Sequence, residues 1–143
     1  MKVLLPVLML WTGAAVAASQ DEAFLDAREA FQRGDAPRLE ARLAELAGHP
    51  LEPYARYWQL RMHIDSVSAD EIQAFLAQNE GSLIGDRLRA DWLRQLARQQ
   101  AWDGFVHEYA RLSATDDAEL ACDAIQARIA LGETEALSAA RMF

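Results

Sequence analysis

Helix boundaries recur along this chain at a nearly constant spacing, and that spacing constrains the fold more than any other feature. The start of each predicted helix lies about 30 to 34 residues before the start of the next helix but one. This is the period of tetratricopeptide-like helix hairpins. A single hairpin cannot bury both of its faces, so neighbouring hairpins have to stack. The starts are expected near Asp21, Asp35, Pro53, Ser68, Asp86, Trp102, Asp116 and Glu133.

This spacing predicts an all-α fold, a right-handed superhelix or solenoid of about four antiparallel helix hairpins. No stretch alternates apolar and polar residues as a β-strand does. The tetratricopeptide consensus itself is poorly matched, so a degenerate array of hairpins is the interpretation that we adopt. The first helix is expected to carry Phe24, Ala27, Arg28 and Phe31 on one side, and residues 79–85 are expected to be a break.

The N-terminus has the pattern of a secretory signal peptide, assigned to residues 1–18. Lys2 precedes an almost wholly apolar stretch, and Ala15-Val16-Ala17 has the small residues that signal peptidase reads. Cleavage is expected after Ala17 or Ala18. A membrane anchor is the alternative, but the apolar stretch is short for a span. Residues 19–143 are therefore predicted to be a helical domain exported to the periplasm, without a membrane anchor after cleavage.

The charge pattern argues against nucleic acid as a partner. The formal net charge is −8, and Lys2 is the only lysine among 14 basic residues. Binding to nucleic acid or to an anionic membrane requires a clustered basic face, which dispersed arginines in an acidic chain do not form.

Cys122 is the only cysteine, which excludes an internal disulfide. Its apolar neighbours predict a buried thiol, and a reactive thiol is the alternative.

The sequence does not indicate a set of catalytic residues. There is no Gly-x-Ser-x-Gly elbow for a serine hydrolase. Asp103 and His107 share a helix face but lack a third ligand, so a solvated polar pair is favoured over a metal site. Asp116, Asp117 and Glu119 are explained by capping and by the helix dipole rather than by glycosidase chemistry. No catalytic, cofactor-binding or metal-binding residue is predicted, and no cofactor.

Aromatic and arginine side chains are the remaining candidates for ligand contact. The aromatic residues fit a core between repeats better than a sugar-stacking platform, with room for one member of the Tyr54, Tyr57 and Trp58 group to be exposed. Hydrogen bonds to sugars or to muramyl carboxylates are one interpretation of Arg56, Arg61, Arg87, Arg89 and Arg94, and solvated faces are the other. The aromatic set is Tyr54, Tyr57, Trp58, Trp92, Trp102, Phe105 and Tyr109.

Several segments resemble the N-terminal region of the soluble lytic murein transglycosylases. They are residues 48–54 (Gly-His-Pro-Leu-Glu-Pro-Tyr), 57–61 (Tyr-Trp-Gln-Leu-Arg), 86–93, the Trp102-x-x-Phe105-x-x-x-Tyr109 pattern, and 120–131 with its lone cysteine. Their order and spacing together cover nearly all of the mature chain. The signal peptide is consistent with a family that works in the periplasm.

The resemblance implies a long U-shaped superhelix followed by a linker and a lysozyme-like catalytic domain. Enzymes of this family cleave glycan strands between N-acetylmuramic acid and N-acetylglucosamine without water and leave a 1,6-anhydromuramyl end. A single Glu, within a Glu-Ser dipeptide, acts first as acid and then as base. This sequence has no Glu-Ser dipeptide. No catalytic residue is therefore carried over, and whether the chain alone is an enzyme is left uncertain.

The expected role is a scaffold that helps to encircle peptidoglycan glycan strands, its partner through the full-length protein. The apolar end, with Ala136, Leu137, Ala140, Met142 and Phe143, lacks a stop signal and leads us to expect a catalytic domain beyond it. A helix that frays at its end is the alternative. The alternative function is a free-standing periplasmic helical-repeat module that binds a peptide or a partner helix.

Overall fold

The computed structural model describes the backbone of residues 13–113 and 117–133, and the side chains of that part from Ser19 onward. Within these ranges the chain forms only helices, which confirms the all-α prediction. The predicted eighth helix, Asp116 and residues 1–12 lie outside the described part. The helices are α1 (Gly13–Arg33), α2 (Ala36–Glu45), α3 (Glu52–Met62), α4 (Ala69–Gln78), α5 (Leu83–Arg98), α6 (Trp102–Tyr109) and α7 (Ala118–Ala130).

The chain divides into two compact units, Met1–Gln59 and Leu60–Phe143, and α3 contributes residues to both. We call them unit one and unit two. The predicted signal-peptide cleavage positions after Ala17 and Ala18 lie within the backbone of α1. None of the helices in the described part is long and apolar enough to cross a membrane.

Side-chain caps start α2, α4 and α7 within two residues of the predicted positions, whereas α1 begins at Gly13 rather than near Asp21. Asp35 accepts a hydrogen bond from the Arg38 amide at 3.2 Å and starts α2. Ser68 accepts one from the Glu71 amide at 3.3 Å and starts α4. Asp117 accepts from two amides of the first turn of α7. Each cap satisfies a backbone N–H that has no partner inside its helix, which fixes the start of that helix.

The start of α5 corrects the sequence prediction. The helix begins at Leu83 rather than at Asp86, because Ser82 is its N-cap. The Ser82 hydroxyl donates to the Asn79 carbonyl at 2.7 Å and accepts from the Gly85 amide at 3.1 Å. Gly85 is consequently a buried residue of the first helical turn rather than the end of a break.

Unit one is built on close packing of α1 against α2. The buried face of α1 consists of Ala23, Ala27 and Ala30, whose small side chains allow a close approach of the two helices. Phe24 and Phe31 lie beside that face and stack on the Trp58 ring at centroid distances of 5.3 and 5.6 Å. Arg28, which was expected on the same side of the helix as Ala27, is exposed.

An ion-pair cluster joins α1 to α2 beside this core. Asp26 of α1 receives hydrogen bonds from Arg38 and from Arg42 of α2, the latter from Nε to Oδ2 at 2.6 Å. The hydrogen bond from Arg38, followed by that from Arg42, lowers the pKa of Asp26 from its ordinary value of 3.8. The folded chain therefore stabilises the ionised form of the Asp26 carboxyl relative to the unfolded chain.

Acid is expected to weaken unit one through Asp26. A carboxyl with a depressed folded pKa stabilises the fold above its ordinary value of 3.8, and the effect is lost as the pH falls through the folded value. Asp26→Asn should flatten the pH dependence of amide exchange in α1 below about pH 4. Glu22→Gln, an exposed change on the same helix, is the control. An unchanged slope in Asp26→Asn would contradict the assignment.

Unit two is organised around α5, which packs against α4, α6 and α7, while α6 also packs against α7. Leu93, Phe105, Leu120 and Ala127 form its buried centre. The Phe105 ring stacks on Tyr109 at 5.6 Å and meets the edge of Trp102 at 6.2 Å. These aromatic residues are part of the core, as expected from their helical spacing. In unit one Tyr57 is buried, whereas Tyr54 is 39% exposed.

Candidate functional site

An open groove between α5, α6 and α7 is the surface of unit two in which polar side chains converge around an aromatic ring. Its volume is about 230 Å³, and we call it the α5–α7 groove. The last turns of α5 form one wall and one face of α7 forms the other. Its lining consists of Arg94, Ala97, Arg98, Gln100, Trp102, Glu119, Asp123 and Gln126.

Helical spacing explains why these residues share the groove. Glu119, Asp123 and Gln126 are four and three residues apart, so they follow one face of α7. Trp102 stands at the first turn of α6, where it is packed against the core. Gln100, in the turn between α5 and α6, has a φ of 56°, in the left-handed region that residues other than glycine adopt uncommonly.

Arg94 is held inside a set of carboxylates and is not available to a ligand as a free cation. Its guanidinium contacts Asp91 at 3.3 Å, Glu119 at 3.4 Å and the Asp117 side chain. Because Asp117 is also the N-cap of α7, Arg94 joins the end of α5 to the start of α7. The structure thus adds to the two sequence-based interpretations of Arg94 a third role, a structural link between helices.

Asp123 is the carboxyl of the groove whose titration is perturbed upward. Partial burial raises the pKa of Asp123 from its ordinary value of 3.8, and repulsion by Glu119 and Asp117 raises it further. Attraction by Arg94 offsets part of that rise. Ionised Asp123 therefore weakens the folded unit at neutral pH, and this penalty is relieved as the pH falls from the folded pKa to the ordinary value.

The other arginines proposed for sugar contact are scattered, and one of them is buried. The Arg89 side chain is 3% exposed and its Nε lies 3.3 Å from Glu108 Oε2, which contradicts its placement on a solvated face or in a glycan site. Arg56 donates to Gln59 at 2.6 Å. Arg61 pairs with Asp91 at 3.1 Å. Arg87 is exposed. None of these four lines the α5–α7 groove.

The histidines and acidic residues do not converge on a reaction centre in the described part of the chain. Asp103 and His107 are both exposed on α6. No group of three or more His, Cys, Asp or Glu residues that could hold a metal ion occurs among the described residues. His49 in unit one lies 3.1 Å from Asp21, but its second ring nitrogen accepts the Leu51 amide at 3.2 Å. Both nitrogens are therefore occupied, which does not suit a general base.

The prediction of a buried Cys122 thiol is wrong, because the side chain is exposed. Leu120 and Ala127 mark the buried face of α7. Two residues along a helix rotate the side chain by roughly 200°, so Cys122 points away from the face on which Leu120 lies. Apolar neighbours in the sequence suggested burial, but the register of α7 decides it.

Sequence reasoning missed Asp123 and Gln126, although a signal for them exists. The polar positions 119, 123 and 126 form a stripe beside the apolar positions 120, 124 and 127, which is visible in the sequence as an amphipathic edge. The sequence-based prediction considered only the cap residues at the start of α7.

Compared with family models, with curated proteins and with solved structures, the chain matches none of them.

Proposed function

We propose that this chain is the N-terminal scaffold part of a periplasmic lytic murein transglycosylase, folded as a superhelix of helix hairpins. The observation that carries the proposal is the packing of α5 against α4, α6 and α7. In a repeat array, the first helix of a hairpin contacts its partner, the preceding helix and the first helix of the next hairpin. Within the described residues, α5 packs against helices at these three positions. The activity is proposed from the resemblance of five sequence segments to that enzyme family.

In this proposal the chain contributes to substrate binding and positioning, while the chemistry belongs to a catalytic domain. The parent enzyme would cleave peptidoglycan glycan strands between N-acetylmuramic acid and N-acetylglucosamine and leave a 1,6-anhydro end. The α5–α7 groove is lined by the Trp102 indole, by arginine and glutamine side chains and by carboxylates. The polar groups can hydrogen-bond sugar hydroxyls, and the face of an indole can stack on a sugar ring. We place the contact with glycan strands there.

A free-standing periplasmic interaction module is the second candidate. It is favoured by apolar side chains of unit two that stay exposed within the described part, since exposed apolar surface supports contact with another protein. Leu83 is 60% exposed, and Ile129 and Leu131 at the end of α7 are 40% and 41% exposed. This candidate predicts binding to a peptide or a partner helix and none to peptidoglycan.

Incubation of the purified chain with peptidoglycan sacculi tests the proposal. We expect the chain to sediment with the sacculi and to release no anhydromuropeptides, as measured by mass spectrometry of the supernatant. Two groove changes together, Arg98→Ala and Gln126→Ala, should weaken sedimentation about tenfold, because each removes a hydrogen-bonding group. Arg87→Ala, an exposed change of α5 outside the groove, should have no effect.

The outcomes separate the two candidates. Release of anhydromuropeptides above a blank would contradict the scaffold role, because it would place catalysis within this chain. A chain that stays in solution with sacculi would favour the interaction module. Equal sedimentation of the wild type and the groove variant would move the glycan contact away from the α5–α7 groove while leaving the scaffold proposal in place.

A further inference from the structure

The turn between α2 and α3 contains a histidine whose protonation state is set by its contacts. His49 Nδ1 lies 3.2 Å from the backbone nitrogen of Leu51, which is a donor at every pH. Nδ1 must therefore accept, and it can do so only without a proton. His49 Nε2 lies 3.1 Å from Asp21 Oδ1 and carries the ring proton toward that carboxylate. The folded turn thus holds the neutral Nε2–H tautomer.

From this geometry we infer that His49 is a pH-sensitive latch: the neutral ring holds the α2–α3 turn closed, and protonation at Nδ1 opens it. A second proton would place an N–H on Nδ1 directly facing the N–H of Leu51. Two donors facing each other lose the hydrogen bond and leave both groups without an acceptor. The His49 side chain is only 9% exposed, but its bond to Leu51 lies in an exposed part of the turn, so water can reach the Leu51 amide once that bond is lost.

The charged groups around the ring do not reverse this effect. Asp21 of α1 favours the protonated ring, but its side chain is 72% exposed and the attraction is weakened by solvent. Glu52 of α3 accepts the Gly48 amide at 2.7 Å and is committed to the same turn. At the end of α2, the Glu45 side chain pairs with Arg42 at 2.6 Å. The remaining face of the ring lies on Phe24, at a centroid distance of 6.2 Å.

Opening of the latch has a defined structural consequence. The Leu51 amide loses its acceptor, and the imidazole leaves the Phe24 ring. Phe24 is one end of the stack that continues through Trp58 to Phe31. The core of unit one would then expose an aromatic edge once the His49 ring carries a second proton. This inference does not depend on the proposed scaffold function.

Nuclear magnetic resonance of the whole chain tests the latch. Long-range proton–nitrogen spectra at pH 8 should show His49 with an unprotonated Nδ1. Between pH 8 and pH 5 the Leu51 amide shift should follow the same midpoint as the His49 ring, and Leu51 exchange, corrected for its intrinsic rate, should accelerate about tenfold. His49→Gln should abolish both changes. His107→Gln, at an exposed histidine of α6, should leave them intact.

Two results would overturn the inference. One is a neutral His49 that carries its proton on Nδ1, because Leu51 could not then donate to it. The other is a Leu51 amide that stays unchanged while the His49 ring titrates. Both measurements are made on the wild-type chain, so they decide the question even if the His49→Gln variant does not fold.

Discussion

Replacing Glu108 by leucine is expected to lower the free energy of unfolding of unit two by about 3 kcal/mol, because it removes the buried counter-charge of Arg89 and leaves only the half-buried Asp86 carboxylate, 3.7 Å away. The side chains of Arg89 and Glu108 are 3% and 2% exposed and join α5 to α6. Arg89 Nη1 also donates to the Arg111 carbonyl at 3.3 Å, just after α6.

The double variant Arg89→Met with Glu108→Leu is the decisive control. Removing both charges replaces the pair by apolar groups and is expected to restore most of the stability lost in Glu108→Leu. Within the described part, Arg89 Nη2 and Glu108 Oε1 make no hydrogen bond, so the native pair is incompletely satisfied. Urea unfolding followed by circular dichroism measures the difference. Equal loss in the single and double variants would show that side-chain shape, rather than charge, explains the effect.

The second large effect is expected at Gly85. A Cβ added there would lie 2.3 Å from the Asn79 carbonyl oxygen, a backbone atom held by the Ser82 hydroxyl. Alanine usually stabilises a helix by about 1 kcal/mol relative to glycine, but this overlap forces the corner before α5 to shift. We expect Gly85→Ala to cost about 3 kcal/mol of unfolding free energy.

Gly104 provides the matched control, since it is a helical glycine with space around it. The nearest atom to a Cβ added there is Leu96 Cδ2 at 3.7 Å, an ordinary contact. Gly104→Ala should therefore raise the stability of α6 by up to about 1 kcal/mol. Thermal unfolding of both variants measures the contrast. A Gly85→Ala chain as stable as the wild type would mean that the Asn79–Gly85 corner is more pliable than its hydrogen bonds indicate.

Helix content and most helix starts could be predicted from the sequence, because their causes are local. Ser68 and Asp35 cap the helices that follow them, as their side-chain chemistry requires. The start of α5 was misplaced for the same kind of reason. Ser82 is an equally good cap, but Gly85 suggested a break, and the close contact with Asn79 that requires a glycine there is not visible in a linear pattern.

Burial could be predicted less well, since it depends on partners that are distant in sequence. Of the residues expected on one side of α1, Ala27 is fully buried, whereas the larger Phe24 and Phe31 side chains are only partly buried. Arg89 was treated as a surface residue because arginine usually is one. Its burial requires Glu108, 19 residues away on another helix. The α5–α7 groove likewise needs three helices, although the polar stripe on α7 was readable.

The two perturbed carboxyls have a consequence for how the chain melts. Asp26 in unit one has a lowered pKa and Asp123 in unit two has a raised one. As the pH falls toward 3.8, protonation of Asp123 relieves repulsion in the second unit, and below 3.8 protonation of Asp26 weakens the first unit. Cooperative, all-or-none unfolding requires both parts to lose stability together. Below about pH 4 the two melting transitions should separate, and calorimetry would then record two heat-absorption peaks instead of one.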